Sequence, residues 1–351
     1  MSLTETEILS QYSALEATCR YFQEQTPAIR DFRDRHDYQS LTFLGAGSGY
    51  CLCRSAAVSA RLRLPEPACA IAAGDLMLNF SHYRVLLQNT CLVAPSRSGS
   101  TSELVKAVSQ ARNQLAVPCL SICARENSEL GRLADLNLEI PWAFDQSVCQ
   151  TRTVTNLYAA NLLLIAILAD DRVLLDEIQH AVRRGNALLN NHLEPLKKFA
   201  REKDWTRVVV LADSELEGIA LEASLAFQEI ARLPSNYHHL LDVRHGPIVL
   251  MDRRTLVILA GSPFGRSYQQ DLVRDLKQKG AWVVAVSGGM QDSIGADYQV
   301  DLADYQNYGV IGIPFIFVPQ VLACFKAYER GINPDLPECA RRGCTTSKSS
   351  E

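Results

Sequence analysis

The chain has 351 residues, 47% of them hydrophobic, and sets 35 basic against 39 acidic side chains for a formal net charge of −4. That composition can bury cores for two domains and excludes a disordered chain, and the absence of any basic block removes the electrostatic footprint of a nucleic-acid or anionic-membrane binder. The 11 cysteines are scattered, odd in number and without a C-x-x-C pair, so reduced core thiols are expected rather than a disulfide framework or a zinc site.

Residues 1–36 read as one or two helices, with Ile8, Tyr12, Leu15 and Phe22 along an apolar side. Their acidic, polar start is unlike a signal peptide, and a cytoplasmic protein is expected. A strand at 41–44 runs into Gly45-Ala-Gly-Ser-Gly-Tyr50 and a helix over 51–62, and a second strand covers 68–73. The apolar run 91–94 then feeds Pro95-Ser-Arg-Ser-Gly-Ser-Thr101, followed by a helix with Leu104, Val105 and Val108 on one side. A strand that delivers a hydroxyl-rich loop to a helix N-terminus suits an anion, because the helix dipole and its unpaired N–H groups favour negative charge. The plain alternative is a βα turn of small polar residues. Strands are expected over 115–123 and, as a short edge, 136–140, and an apolar helix over 154–169. The longest unbroken apolar run, 162–169, is too short to span a bilayer.

A charged, amphipathic helical connector covers 172–203, and then the pattern starts again. Strand 207–211 leads to a helix over 217–232. Strand 255–260 leads through Gly261-Ser-Pro-Phe-Gly265 to a helix ending near 279. Strands follow at 281–287 and, weakly, at 298–303, and a helix at 313–329. Ala212 and Ser262 stand opposite Ala46 and Ser96 at an offset of about 166 residues, which implies a duplicated domain. Strands alternating with helices imply an α/β fold of parallel sheets covered on both faces, with ligands at the C-terminal ends of the strands. The Gly45–Gly49 loop lacks G-x-G-x-x-G spacing, so it is a weak dinucleotide signal. The expected divisions are a helical segment 1–36, a first domain 37–171, a connector 172–204, a second domain 205–335 and a tail 336–351.

Ser96-Arg-Ser-Gly-Ser-Thr101 resembles the S-x-S-G-x-T sugar-phosphate loop of the sugar isomerase (SIS) domain. Gly45-Ala-Gly-Ser48 is similar to that family's first loop, and Ser147-Val-Cys-Gln-Thr-Arg-Thr-Val-Thr155 to the segment entering its core helix. Two such halves resemble the isomerase part of glucosamine-6-phosphate synthase and the smaller fructosamine-6-phosphate and glucoselysine-6-phosphate deglycases. The resemblance implies two tandem SIS domains, each a three-layer, flavodoxin-like αβα sandwich. It implies a small-molecule sugar phosphate held by Ser96, Ser98 and Thr101, with Arg97 at a variable position and further contacts from Gly47, Ser48, Asp145 and Val148. Gly49 stands where a serine is common, and Asp145 where a glutamate is usual. A dimer or higher homo-oligomer with a shared active site is implied too, with no cofactor and no metal.

Glu222 and Glu229 lie seven apart on one helix and so share a face. Alone, a helix glutamate is usually a solvated surface residue and His245, in Arg244-His-Gly-Pro247, a loop or core histidine. The resemblance gives them catalytic roles: Glu229 as the base that moves a proton between C1 and C2, His245 as the group that opens the sugar ring. Where the synthase has its Schiff-base lysine, this chain offers Arg342, which stays protonated and cannot be that nucleophile. Ala226 replaces a second synthase lysine. A deglycase needs neither, because its ketosamine 6-phosphate already carries nitrogen. The expectation is therefore cleavage of such a substrate to an aldose 6-phosphate and a free amine. An aldose–ketose isomerase of a hexose or amino-hexose 6-phosphate is the alternative, and a non-catalytic sugar-phosphate regulator the second.

Overall fold

The structure, a computed structural model, describes residues 1–289 and 293–335. One long helix, α1 (Leu3–Arg35), opens the chain, and the Ser2 hydroxyl caps it by accepting from the Glu5 amide at 3.0 Å. The first half continues as β1 (Ser40–Gly45), α2 (Ser48–Arg63), β2 (Ala68–Ala72), α3 (Ala73–Leu78), α4 (Phe80–Tyr83), β3 (Thr90–Ser96), α5 (Ser102–Leu115), β4 (Cys119–Cys123), α6 (Glu129–Leu133), β5 (Leu136–Glu139) and α7 (Arg152–Leu168). Two helices, α8 (Arg172–Arg183) and α9 (Gly185–Glu202), make the connector. The second half runs β6 (Arg207–Leu211), α10 (Glu217–Ile230), β7 (Ser235–His238), β8 (Thr255–Ala260), α11 (Arg266–Gln278), β9 (Trp282–Gly288), β10 (Tyr298–Leu302), α12 (Gly312–Phe315) and α13 (Phe317–Glu329).

Each half builds a five-stranded sheet in which every pairing is parallel. The first has the order β2-β1-β3-β4-β5 and the second β10-β9-β8-β6-β7, which from its other edge repeats the first strand for strand. The α/β class and the twofold arrangement of sheets agree with the sequence reading. Three local expectations change. Leu115 closes α5 rather than opening a strand; Ala116 ends that helix in the left-handed region at φ 52°, and β4 starts only at Cys119. The connector is two helices, divided at Arg184. Strand β7, Ser-Asn-Tyr-His, is too polar to announce itself and forms by pairing with β6.

The core explains the order of burial. Helix α7 is apolar on nearly every side and is buried along almost its whole length, as a helix enclosed by others must be. The helical run Tyr308–Glu329 is, by length and composition, apolar enough to cross a membrane, yet nearly all of it is packed inside the molecule. Among the described residues nine cysteines are free, and all but Cys69 are buried.

Two contacts lock the halves together. Helix α10 meets α2 almost backbone to backbone at Gly218, where a Cβ would stand 2.1 Å from the Cys51 carbonyl oxygen. The Ile219 amide donates to the Ser55 hydroxyl there at 3.0 Å. At the other end of α2, the buried Arg63 guanidinium pairs with Glu215 at 2.6 Å and donates to the Asn307 side chain at 2.9 Å.

Candidate functional site

The first sheet reverses its strand order between β1 and β3, and the loops leaving those two strands part to form a crevice. A cavity of ≈ 80 Å³ lies there, lined by Ala46 and Gly49 after β1, by Ser96, Arg97, Ser98 and Thr101 after β3, and by Gln150 from the loop before α7. The loop after β3 holds its shape by local bonds. The Ser96 hydroxyl accepts from the Gly99 amide at 2.9 Å, and the Ser98 hydroxyl from the Ser100 amide at 3.2 Å. Each hydroxyl keeps its proton to donate. Thr101 stands at the N-cap of α5 without a capping bond from its side chain. Hydroxyl donors, the first amides of a 14-residue helix and a guanidinium thus meet at one small cavity, an arrangement that holds an anion.

Arg97 also ties this loop to the next. One guanidinium nitrogen donates to the carbonyls of Ser147 and Val148, at 3.0 and 3.1 Å. The same loop is held from beneath by the N-terminal helix. Glu7 on α1 accepts from the Gln146 amide at 2.6 Å, the Ser147 amide at 3.2 Å and the Ser147 hydroxyl.

The second half contributes α10. Because Gly218 lets that helix lie directly on α2, its face reaches the first-half loops. Glu222 is 2% exposed, and one carboxylate oxygen has no partner among the described residues. Burial, and then the charge of Glu229, push its pKa well up, and the Ser48 hydroxyl and Cys51 thiol offset this only in part. Glu229, two turns further on, is half-buried. Burial raises its pKa as well, against the Arg97 guanidinium and a bond from the Cys149 thiol, which favour the charged form. A carboxylate held this way is a stronger base than one in water.

The expected site residues are therefore distributed as follows. Ser96, Arg97, Ser98 and Thr101 line the cavity together. Gly47 and Ser48 open α2 beside it, with Ser48 turned to Glu222. Asp145 was expected to touch a sugar, but it is 1% exposed and one carboxylate oxygen accepts from the Thr151 and Thr153 amides at 2.7 and 2.9 Å, fixing the start of α7. Val148 offers its carbonyl to Arg97 rather than its side chain to the cavity. His245 is exposed in a short 3₁₀ turn, Asp242–His245, and among the described residues no bond or charge contact joins it to Glu229. Arg342 lies outside the described residues. Sequence reasoning missed Cys149 and Gln150 as contacts; their one signal was membership of the segment that enters α7.

The counterpart loop in the second half is built differently. The Gln269 side chain fills it, accepting from the Ser262 amide at 3.1 Å and donating to the Ser262 and Phe264 carbonyls at 2.9 and 2.8 Å. The Ser262 amide is thus taken by Gln269, and the Phe264 amide by the Ser262 hydroxyl at 3.2 Å.

Comparison with known families matches residues 36–167 to the SIS domain model. This segment carries β1 to β5 and the cavity; the likeness of the second half to it is one of fold, strand order for strand order. The chain is similar to the D-galactosamine-6-phosphate deaminase AgaS of Shewanella sp. (strain ANA-3), 28% identical over 284 residues that cover 76% of this chain and 69% of that protein. It is also similar to the glutamine–fructose-6-phosphate aminotransferase [isomerizing] of Corynebacterium efficiens, 28% identical over 74% of this chain and 44% of that longer protein. Among solved structures, the tagatose-6-phosphate ketose/aldose isomerase from Escherichia coli superposes with a TM-score of 0.84 at 23% identity, covering 95% of this chain and 94% of that one. The glucosamine-6-phosphate deaminase from Thermotoga maritima does so with a TM-score of 0.80, also at 23% identity, covering 96% and 98%. Both show the fold in which the matched segment of this chain is set.

Proposed function

We propose that this protein is a sugar-phosphate isomerase that releases nitrogen from an amino-hexose 6-phosphate, with Glu229 as its base. The observation that carries the reading is the half-buried Glu229 carboxylate, brought by the second half into electrostatic contact with Arg97 of the anion cavity. The similarity to proteins named as sugar-phosphate deaminases and isomerases supports the choice of reaction.

In this reading the hydroxyls of Ser96, Ser98 and Thr101 and the first amides of α5 hold the phosphate, far from the reacting carbons. Glu229 takes the proton from C2 of the open-chain 2-amino aldose, giving an enaminol, and returns it to C1. The resulting C2 imine adds water and loses ammonia, leaving a ketose 6-phosphate. Glu222, kept neutral by burial, leaves Glu229 the charged carboxylate of the pair. Ring opening needs a proton carrier, and we assign it to His245 supplied by a second copy of the chain in a homodimer.

One observation favours a second reading. Ala226, 4% exposed on the same helix, gives no lysine there, and a ketosamine 6-phosphate with its nitrogen on C1 needs none. Removal of its C1 proton and return to C2 makes an aldimine, which water hydrolyses to an aldose 6-phosphate and a free amine. The two readings differ only in which carbon holds the nitrogen. Galactosamine and glucosamine 6-phosphates should release ammonia and a ketose phosphate. Glu229→Gln should lower that turnover by about 10² to 10⁴ while leaving sugar-phosphate affinity within a few-fold. Turnover by Glu229→Gln at the wild-type rate would remove Glu229 from the mechanism. Release of lysine from glucoselysine 6-phosphate without ammonia from amino sugars would establish the deglycase instead. Tight binding of every sugar phosphate with no turnover of any would leave a regulator.

A further inference from the structure

We infer that Arg97 relays occupancy of the anion cavity to Glu229, so that an arriving dianion makes Glu229 a stronger base. The inference rests on Glu229 being the base, and it adds a regulation of that base by the far end of the substrate. Arg97 is then a positioning residue, acting through Glu229 rather than on the reacting carbons.

The geometry begins with the cavity. Arg97 lines it beside Ser96, Ser98 and Thr101, so an anion held there lies against the guanidinium. One guanidinium nitrogen donates to the carbonyls of Ser147 and Val148 at 3.0 and 3.1 Å, which ties the side chain to the loop before α7. The remaining guanidinium N–H groups have no hydrogen-bond partner among the described residues, and they are what an anion can take. The residue after Val148 is Cys149, buried against Glu229, so the clamp that fixes Arg97 also fixes the wall around the carboxylate. Glu229 is faced by Arg97 from the loop after β3, by Cys149 from the loop before α7 and by Glu222 along its own helix. Arg97 supplies the one positive charge in that set.

With the cavity empty, the Arg97 charge favours the ionised form of Glu229 and weakens it as a base. A bound dianion cancels that charge and adds a negative field, so the carboxylate holds a proton more tightly. The base is strengthened only when a phosphorylated substrate is seated. An unphosphorylated sugar would then be turned over slowly even at saturation, a loss in kcat as well as in KM.

Inorganic sulfate tests this without turnover, because it stays a dianion across the working pH range and contributes no proton of its own. Calorimetric titration of sulfate in two buffers of different ionisation enthalpy reads the protons taken up on binding. The wild type should take up a fraction of a proton at a pH on the acidic limb of its activity profile. Glu229→Gln should bind sulfate without uptake, Arg97→Gln should bind more weakly with uptake reduced, and Arg97→Lys should restore part of it. In kinetics, the acidic limb of kcat should lie at higher pH than that of kcat/KM in the wild type, and Arg97→Gln should close the gap. Undiminished uptake in Glu229→Gln, no uptake in the wild type, or no sulfate binding at all would each overturn the inference. If Glu229→Gln loses turnover while the wild type shows no uptake, the inference falls and the assignment of the base stands. If Glu229→Gln keeps its turnover, the base itself is wrong.

Discussion

At position 99 a single methyl group is enough to spoil the anion loop. Gly99 has φ +58°, and a Cβ there would stand 2.3 Å from the Ser128 hydroxyl oxygen. A left-handed alanine costs about 1 to 2 kcal/mol before that clash is counted. Gly99→Ala should therefore raise KM for a sugar phosphate by about tenfold or more, since 1.4 kcal/mol is a factor of ten, while kcat changes less. Steady-state kinetics and a thermal midpoint separate the loop's effect from general destabilisation. The serine cluster around Gly99 was legible because hydroxyls, a glycine and a helix start have a chemical meaning in sequence. Glu229 stood out as a candidate only through resemblance, since one helix carboxylate looks like another until its surroundings are known. Cys149 and Gln150 were not legible as contacts. Nothing in a thiol or an amide announces which side of a loop it will face; here Arg97 and Glu7 grip the backbone just before them, at residues 146–148.

Among the elements, α7 shows how a residue read as a ligand contact becomes a structural one. Asp145 sits where a polar site residue was expected, but two amides at the head of α7 take its carboxylate. Burial first, and then the charge of Glu7, raise its pKa from 3.8 to about 6. The folded state therefore holds this proton more tightly than the unfolded chain. The associated stability is fully present below about pH 4 and is lost as pH rises through about 6. Asparagine keeps the shape and one acceptor but does not titrate. Relative to Asp145→Asn, the wild type should gain on the order of 2 to 3 kcal/mol between pH 7 and pH 4, read from urea unfolding at each pH. A difference that does not move with pH would show that another group sets the acid response. Strands were read well where β-branched and apolar residues ran together, as in β6 and β8. They were missed where pairing alone makes the strand, as in β7.

Over the whole molecule, the repeated strand order was the most legible feature, because the alternation of strands and helices can be read from the hydrophobic pattern alone. What sequence did not reveal is how the halves are joined. Arg63 lies at the end of a first-half helix, and its buried partner Glu215 belongs to the second half. Arg63→Ala would leave Glu215 charged and unpaired in the interior, a loss of about 3 to 5 kcal/mol. Urea unfolding followed by tryptophan fluorescence should show that loss. A change below 1 kcal/mol would mean that Gly218 and its neighbours carry the junction without it. The two switch points also stand in an asymmetric relation. One is open, and the other is closed by the amide of Gln269 alone, with no rearrangement of its sheet. The second half thus leaves the open crevice to the first and turns a face of its helix α10 toward it.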